Sequence, residues 1–530
     1  MPTSAQSAAL FDKVVQDIGR LDGDGLTIRH QRPEPWRATI ARLRLAATEA
    51  TTPAQLGQVF HRLRATYPNM HAGVTLAKDF NEKWMPNGVT LPVTIRAESL
   101  TPTANRPVMR IASVDERWLK RQAAAAALPK VGDVVVAINQ RPINDWLREN
   151  EIFCRYPLGG QCPVEFQRNL TRGFLFWQPE SPLALKLRRG DEDFQVTVGA
   201  MPAVPPTSSS SSQPPAPACE SAKTRLPEGF VLVWAGTMVC VFANPERPDT
   251  QVWRIESFAA EQSRVFDAKP GQYKSVKQET DTFYDEFWKA KAPQIKHLVI
   301  AVAGNSGGEV VVRWLQLLAA APFQMPYVQF KKIREFDTPE VRKALFWGSL
   351  KSQAFIEALK RDGQFESTVE GGWLPRQQKF CFSAEEEAGE SAGAVECNAV
   401  KHAPRPHGFT GRVTVVADQF CHSACVTFAQ TTMKVANARV VGLPDVADTT
   451  FSRLQLHFGF DASGAPVTSV ADASPIAKPV GRFTVAATRS TDDKGTLTSA
   501  KPLMPELVVP RRWQQNGDEW ALEAIKVALK

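Results

Sequence analysis

The sequence predicts a multi-domain protein of the mixed α/β class, with an N-terminal helical region, a β-rich domain and a larger mixed β/α core. Three observations carry this. The chain has 530 residues, more than one hydrophobic core ordinarily serves. A Pro/Ser/Ala tract from Met201 to Pro217 divides it, with Ser208–Ser212 unbroken. Beyond that tract, short apolar runs alternate with glycine turns and helical periodicity, the pattern of crossover units on a partly parallel sheet.

Residues 1–96 read as helical. Leu10, Val14, Val15 and Ile18 recur at helical spacing, as do Ile40, Leu43 and Leu45. Thr52-Pro53 is an N-cap followed by proline at the first helical position, ahead of Leu56, Val59, Phe60 and Leu63. Residues 97–200 read as a second unit. Pro107–Val114 alternates as a strand, and a Lys130-Val-Gly-Asp133 turn enters a Val/Ile strand ending at Ile138-Asn139. Two further strands, around Pro163–Arg168 and Leu183–Val198, close it. Residues 201–227 cannot bury apolar surface and read as a linker.

Residues 228–530 form the third unit. Phe230–Trp234, Met238–Phe242 and Val252–Phe258 read as strands, Thr280–Lys289 as a helix, and His297–Ala303 as an apolar strand. Gly304-Asn-Ser-Gly-Gly308 then turns the chain into a helix over Val310–Ala321. Later come a strand over Gly411–Ala417, a helix over Ser423–Val435 and a strand over Ala438–Gly442. The longest apolar runs, Val231–Ala235 and Leu298–Ala303, have the length of buried strands; none approaches the ~20 residues that span a bilayer. No integral membrane segment is expected.

Lys and Arg number 63 against 55 Asp and Glu, a formal charge of +8. The basic residues are scattered, with no basic block interleaved with aromatics, so nucleic acid is not an expected partner. None of the eight cysteines, 154, 162, 219, 240, 381, 397, 421 and 425, forms a Cys-x-x-Cys pair or stands by histidines at zinc spacing. No metal and no cofactor is expected; Gly304–Gly308 lacks the spacing and the Lys-Ser/Thr of a phosphate loop. Cys381 and Cys397 bracket an acidic Gly/Ala-rich segment and suit a loop staple. Cys421 and Cys425 could form a strained disulfide or remain two inert thiols. The N-terminus lacks the basic and apolar regions of a secretory leader. Either the protein is cytosolic or the sequence begins after a removed signal. Cysteine usage favours the second, a periplasmic or secreted location.

Ser423, in Cys421-His422-Ser423-Ala424-Cys425, falls where a strand meets a helix. Such a serine can cap the helix, as serine commonly does, or expose its hydroxyl beside free backbone N–H groups as a nucleophile. A serine nucleophile also needs a base.

Three segments together resemble the tail-specific, or C-terminal processing, serine peptidase family. Leu298–Gly308 is similar to the family's strand ending in Arg-Gly-Asn-Pro-Gly-Gly, with Ala303 where the Arg stands. Val413–Cys425 resembles the strand–turn–helix that bears the nucleophile, and Ala438–Gly442 the strand that follows. The Lys130–Asn139 turn and strand resemble a PDZ module, which the family carries between its N-terminal helices and its crotonase-like core. The resemblance implies an endopeptidase acting on polypeptides through an acyl-enzyme, with Ser423 as nucleophile and backbone N–H groups of Ala424 and of Gly307 or Gly308 as the oxyanion hole. The PDZ-like unit would hold a substrate tail by strand addition or gate access, and a homodimer is compatible with this.

Most of the family use a lysine downstream of the serine as base, yet Gly442–Phe451 contains none. Asn69-Met-His-Ala-Gly-Val-Thr-Leu76 resembles the His-Ala-Gly-Val segment of the chlamydial protease-like activity factor, whose branch uses a serine–histidine arrangement. That implies His71 as general base; a structural histidine at a helix-to-strand junction is the other reading. His422 should point away from Ser423, and His297, His407 and His457 have no motif support. Where the branch places a Glu to orient the histidine, this sequence has Ser499, with Asp492, Asp493 or Glu506 as substitutes. These departures leave a second reading, a non-catalytic peptide- or ligand-binding relative on the same scaffold. A third is a latent zymogen whose Pro/Ser-rich segment or PDZ-like unit blocks the cleft.

Overall fold

The computed structural model describes the chain outside residues 24–32, 82–88, 101–106, 123–127, 154–181, 203–218, 220–225, 259–275, 346–352, 367–370, 379–400, 445–452, 471–473 and 499–502, and outside the single positions 68, 70, 237, 256, 306, 309, 310, 344, 407 and 408. Most of the expected linker, the strand at 163–168, Cys381, Cys397, His407 and Ser499 lie outside the described residues.

Helix α1 (Ser4–Leu21) opens on a capping box between Thr3 and Gln6. Helix α2 spans Pro33–Glu49 and α3 spans Pro53–Ala65, the latter capped by Thr52 with Pro53 in its first turn. Leu10, Val14, Ile18 and Leu43 are buried as their spacing predicts, but Leu45 is 58% exposed. Two residues beyond Leu43, it lies on the opposite face of the helix. These helices build no core alone. They share one with Phe330, Phe336 and Ile356 and with Leu454, Phe458 and Phe483, and the Phe60 and Phe458 rings stand 4.6 Å apart. Strand β1 (Gly73–Leu76) pairs antiparallel with Lys478–Ala486.

The next unit is a six-stranded antiparallel sheet. Its main strands run in the order β2 (Val93–Ala97), β3 (Met109–Val114), β4 (Val134–Ile138), β5 (Leu183–Arg189) and β6 (Glu192–Val198), and Arg141–Pro142 pairs beside β4. Gly132, with φ 98°, makes the turn into β4 that the sequence anticipates. Leu183–Val198, expected as one strand, is a hairpin. Ile95, Ile111, Val135, Leu185 and Trp146 fill its core. A short ladder of Ser99–Leu100 with Arg511–Arg512 fastens this unit to the C-terminal part of the chain.

The largest sheet has seven strands. In order they are β7 (Val231–Ala235), β8 (Val239–Asn244), β9 (Arg247–Ile255), β10 (His297–Ala301), β11 (Arg412–Ala417), β12 (Arg439–Gly442) and Leu507–Val508. From β9 onward every pair is parallel, joined by crossovers. Alternation sorts β10 cleanly. Leu298 and Ile300 face a layer formed by Trp288, helix α4 (Val312–Leu318) and helix α5 (Ala424–Val435), while Val299 and Ala301 face helix α6 (Gly517–Ala528). Contrary to the sequence reading, β7 is not buried: Val231 and Val233 are each 40% exposed, because β7 is the sheet's edge and only one neighbour covers it. The helix expected at 280–289 forms but passes into a π-helical turn over Tyr284–Trp288. Strands β13 (Arg453–Phe460), β14 (Pro466–Val470) and β15 (Lys478–Ala486) complete a four-stranded sheet with β1.

Candidate active site

Strand β11 runs five residues past its end, Asp418 to His422, before Ser423 opens α5. Ser423 adopts φ 58° and ψ −123°, a conformation that costs a non-glycine residue about 1–3 kcal/mol. Its side chain makes no capping hydrogen bond, and the residue is 7% exposed. Ser423 therefore does not cap the helix through its side chain. A strained, uncapped serine at a strand-to-helix turn is the geometry of a nucleophile elbow, in which the first N–H groups of the helix stay clear of intrahelical bonding.

The elbow is pinned from several sides. Cys421 and Cys425 form a disulfide, with both side chains fully buried, joining the loop to the first turn of α5. His422 turns its Nδ1 to the Phe420 carbonyl at 2.7 Å. The Asp418 carboxylate accepts from the N–H of Phe420 and from the N–H of Gly304, each at 3.0 Å, and so ties the elbow to the glycine turn. Burial pushes the Asp418 carboxyl above its usual range, against the pull of those two N–H donors and of the nearby Arg511 and Arg254.

The glycine turn leaves β10 and packs against the elbow. A Cβ on Gly307 would lie 2.9 Å from the Ser423 Cβ, 2.8 Å from the His422 carbonyl oxygen and 3.1 Å from the Ala424 nitrogen. Only glycine fits there, and its φ of 98° favours glycine as well. Buried Asn305 shapes the turn: its Nδ2 donates to the Ile255 carbonyl at 3.0 Å and its Oδ1 accepts the Gly307 N–H at 2.8 Å. The Gly307 carbonyl accepts from the Phe258 N–H at 2.8 Å. Of the two glycines that could supply an oxyanion donor, Gly307 thus has its N–H engaged. Gly308, with φ 139°, follows it and bridges to Phe258.

His71 stands two residues before β1, in the four-stranded sheet, and is half-buried. Its backbone is held in a tight turn. Buried Asn69 accepts the His71 N–H on Oδ1 at 2.7 Å and the Ala72 N–H on its carbonyl at 3.1 Å, and Arg64 Nε donates to the Ala72 carbonyl at 2.9 Å. Asp492, Asp493 and Glu506, the alternatives to Ser499, lie in the C-terminal part of the chain. Asp492 Oδ1 accepts the N–H groups of Lys494 and Thr496 in its own turn; Asp493 is exposed; Glu506 is exposed while its N–H bonds the Val440 carbonyl. His297 is buried at the opposite end of the large sheet. Among the described residues no group of three His, Cys, Asp or Glu side chains is placed to hold a metal ion, and no helix is long and apolar enough to cross a membrane.

Asp418 and Asn305 were not singled out in the sequence. Each lies inside a motif that was, Asp418 directly after a strand and Asn305 within a glycine turn. Polar residues flanking such turns are the signal that would have found them.

Together these features define a multi-domain α/β protein whose large mixed sheet presents a serine on a strained strand-to-helix turn beside a glycine loop. The fold is similar to that of mature CPAF. A structure of mature CPAF superposes with a TM-score of 0.58 at 12% identity, covering 98% of this chain and 97% of that one. Mature CPAF complexed with lactacystin gives 0.56 at 12%, covering 98% of both chains. A more distant likeness, with a TM-score of 0.32 at 10% identity over 95% and 93% of the two chains, is to the photosystem II D1 C-terminal processing protease. No family model matches the sequence, and no curated protein matches it.

Proposed function

We propose that this chain is a serine endopeptidase in which Ser423 is the nucleophile and His71 the general base. The observation that carries the reading is the uncapped, positive-φ conformation of Ser423 against Gly307. His71 takes the Ser423 hydroxyl proton as the oxygen attacks a peptide carbonyl, and the oxyanion accepts from the N–H groups of Ala424 and Gly308. The proton then passes to the leaving amine, and water releases the acyl group by the same route reversed. Ser499 orients His71 in place of a carboxylate, which stabilises the imidazolium less.

Residues 97–200 act in this reading as the PDZ-like unit that holds a polypeptide tail or gates access. A groove of about 460 Å³ beside edge strand β2, lined by Leu91, Val93, Thr94, Ser113 and Asp115, suits a strand laid along that edge. The disulfides Cys219–Cys240 and Cys421–Cys425 support a periplasmic or secreted location.

A fluorophosphonate serine probe tests the reading. Labelling of the wild type that is lost in both Ser423→Ala and His71→Ala is expected. A wild type that stays unlabelled, even after limited proteolysis of residues 201–225, would instead favour a non-catalytic peptide-binding relative. Two observations point that way: the engaged N–H of Gly307, and Ala303 standing where the resemblance expects Arg.

A further inference from the structure

The end of the large sheet away from Ser423 carries a cluster with no part in the reaction above. His297, Arg412 and Arg439 begin the parallel strands β10, β11 and β12, and Arg247 begins β9. His297 sits beside Arg412 in the ladder, and Thr414 beside Arg439. Arg412 Nη2 donates to His297 Nδ1 at 2.8 Å, and His297 Nε2 lies 3.2 Å from Thr414 Oγ1. Arg439 Nε donates to that same hydroxyl oxygen at 3.3 Å. A guanidinium can only donate, so Nδ1 is the bare acceptor nitrogen and the imidazole is the neutral Nε2–H tautomer donating to Thr414.

Among the described residues none of the three guanidinium groups pairs with a carboxylate. Arg439 and Arg247 each give one N–H to the carbonyls of Ala528 and Leu529 at the end of α6, at 3.4 Å. Among the described residues the Arg412 side chain bonds the imidazole alone. The nearby Asp249 faces Lys296, at 4.0 Å. The cations repel one another: burial first, then Arg439 and Arg247, lower the Arg412 pKa. Such a like-charge group at an accessible position, with most of its N–H donors uncommitted, is satisfied by an anion that offers several oxygens.

We propose that Arg412, Arg439 and Arg247 form a binding site for a phosphate-type oxyanion at the N-terminal ends of the parallel strands. It is separated from Ser423 by the six residues of β11, roughly 17–20 Å of strand. His297 reports on it. Burial and the facing Arg412, Arg439 and Arg247 hold its pKa down to about 4, with Asp249 opposing. A bound dianion offsets those positive charges and moves the imidazole's titration upward.

Thermal unfolding of the full chain at pH 7, with sodium phosphate titrated against sodium chloride of equal ionic strength, tests the site. Phosphate should raise the melting temperature beyond chloride, and Arg412→Gln and Arg439→Gln should each weaken that effect by about tenfold in phosphate concentration. In the wild type, the NMR titration midpoint of His297 should rise when phosphate is present, a readout that needs no variant to fold. A parallel titration with O-phosphoserine separates sources: equal protection means that the site takes phosphate monoesters, protection by inorganic phosphate alone that it takes the free ion. Equal stabilisation of wild type and both variants, or a His297 midpoint that phosphate leaves unmoved, overturns the proposal.

Discussion

Gly307 lies against Ser423 so closely that a Cβ built on the glycine would stand 2.9 Å from the serine Cβ. The contact fixes the glycine turn and the elbow as one rigid unit, since the other atoms met, the His422 carbonyl oxygen and the Ala424 nitrogen, are backbone. Neither can yield without moving the serine.

Gly307→Ala should accordingly lose serine-probe labelling and destabilise the protein by roughly 2–5 kcal/mol, from overpacking and from strain at positive φ. Denaturant unfolding with parallel labelling checks it. A variant that labels at the wild-type rate would show that the turn and the elbow move independently.

Asp418 joins the same two loops through one carboxylate oxygen. Asp418→Ala removes the acceptor that the Gly304 and Phe420 N–H groups share, both at partly exposed positions, and should cost about 1–3 kcal/mol. Asp418→Asn keeps an acceptor oxygen and removes the buried charge. Because burial raises the folded-state pKa of Asp418, its contribution to stability is greatest below the ordinary carboxylate pKa and is lost as pH rises through the folded value. The Asn variant should lack that loss, which urea unfolding across pH 4–8 would read out.

His297 carries the opposite dependence. Its pKa, about 4 in the folded protein, lies below the ordinary value of 6.5, so between these the unfolded chain binds the proton and the folded one does not. Stability should fall as pH drops from about 6.5 to about 4. His297→Gln should flatten this window while leaving stability above pH 7 nearly unchanged.

The two disulfides among the described residues should separate stability from function. Cys219–Cys240 closes 21 residues of sequence and Cys421–Cys425 only 4, so on loop entropy the first contributes about 3 kcal/mol and the second about 2 kcal/mol. Replacing Cys219 and Cys240 by Ala should lower the melting temperature more. Replacing Cys421 and Cys425 by Ala should slow serine-probe labelling more, because that bridge holds the elbow.

What the sequence alone determined is what a few neighbouring residues decide. Thr52-Pro53 announced a capped helix, the Gly-Asp turn announced strand β4, and the apolar run at 298–303 announced a central strand, because caps, turns and periodicity act within one or two turns of chain. The strand–serine–helix segment and the glycine turn were legible for the same reason. Only the tertiary structure decided what those segments meet. It set Asn305 on the Gly307 N–H and Asp418 across two loops, placed α1, α2 and α3 in one core with strands β13 and β15, and turned Leu45 and β7 outward. Apolar burial is non-directional, so a hydrophobic stripe specifies that a face is covered and not by which distant segment. The same holds at Ser423. Its chain position shows a serine where a strand meets a helix, while its positive φ, its missing cap and its contact with Gly307 arise only when β10 and β11 lie side by side.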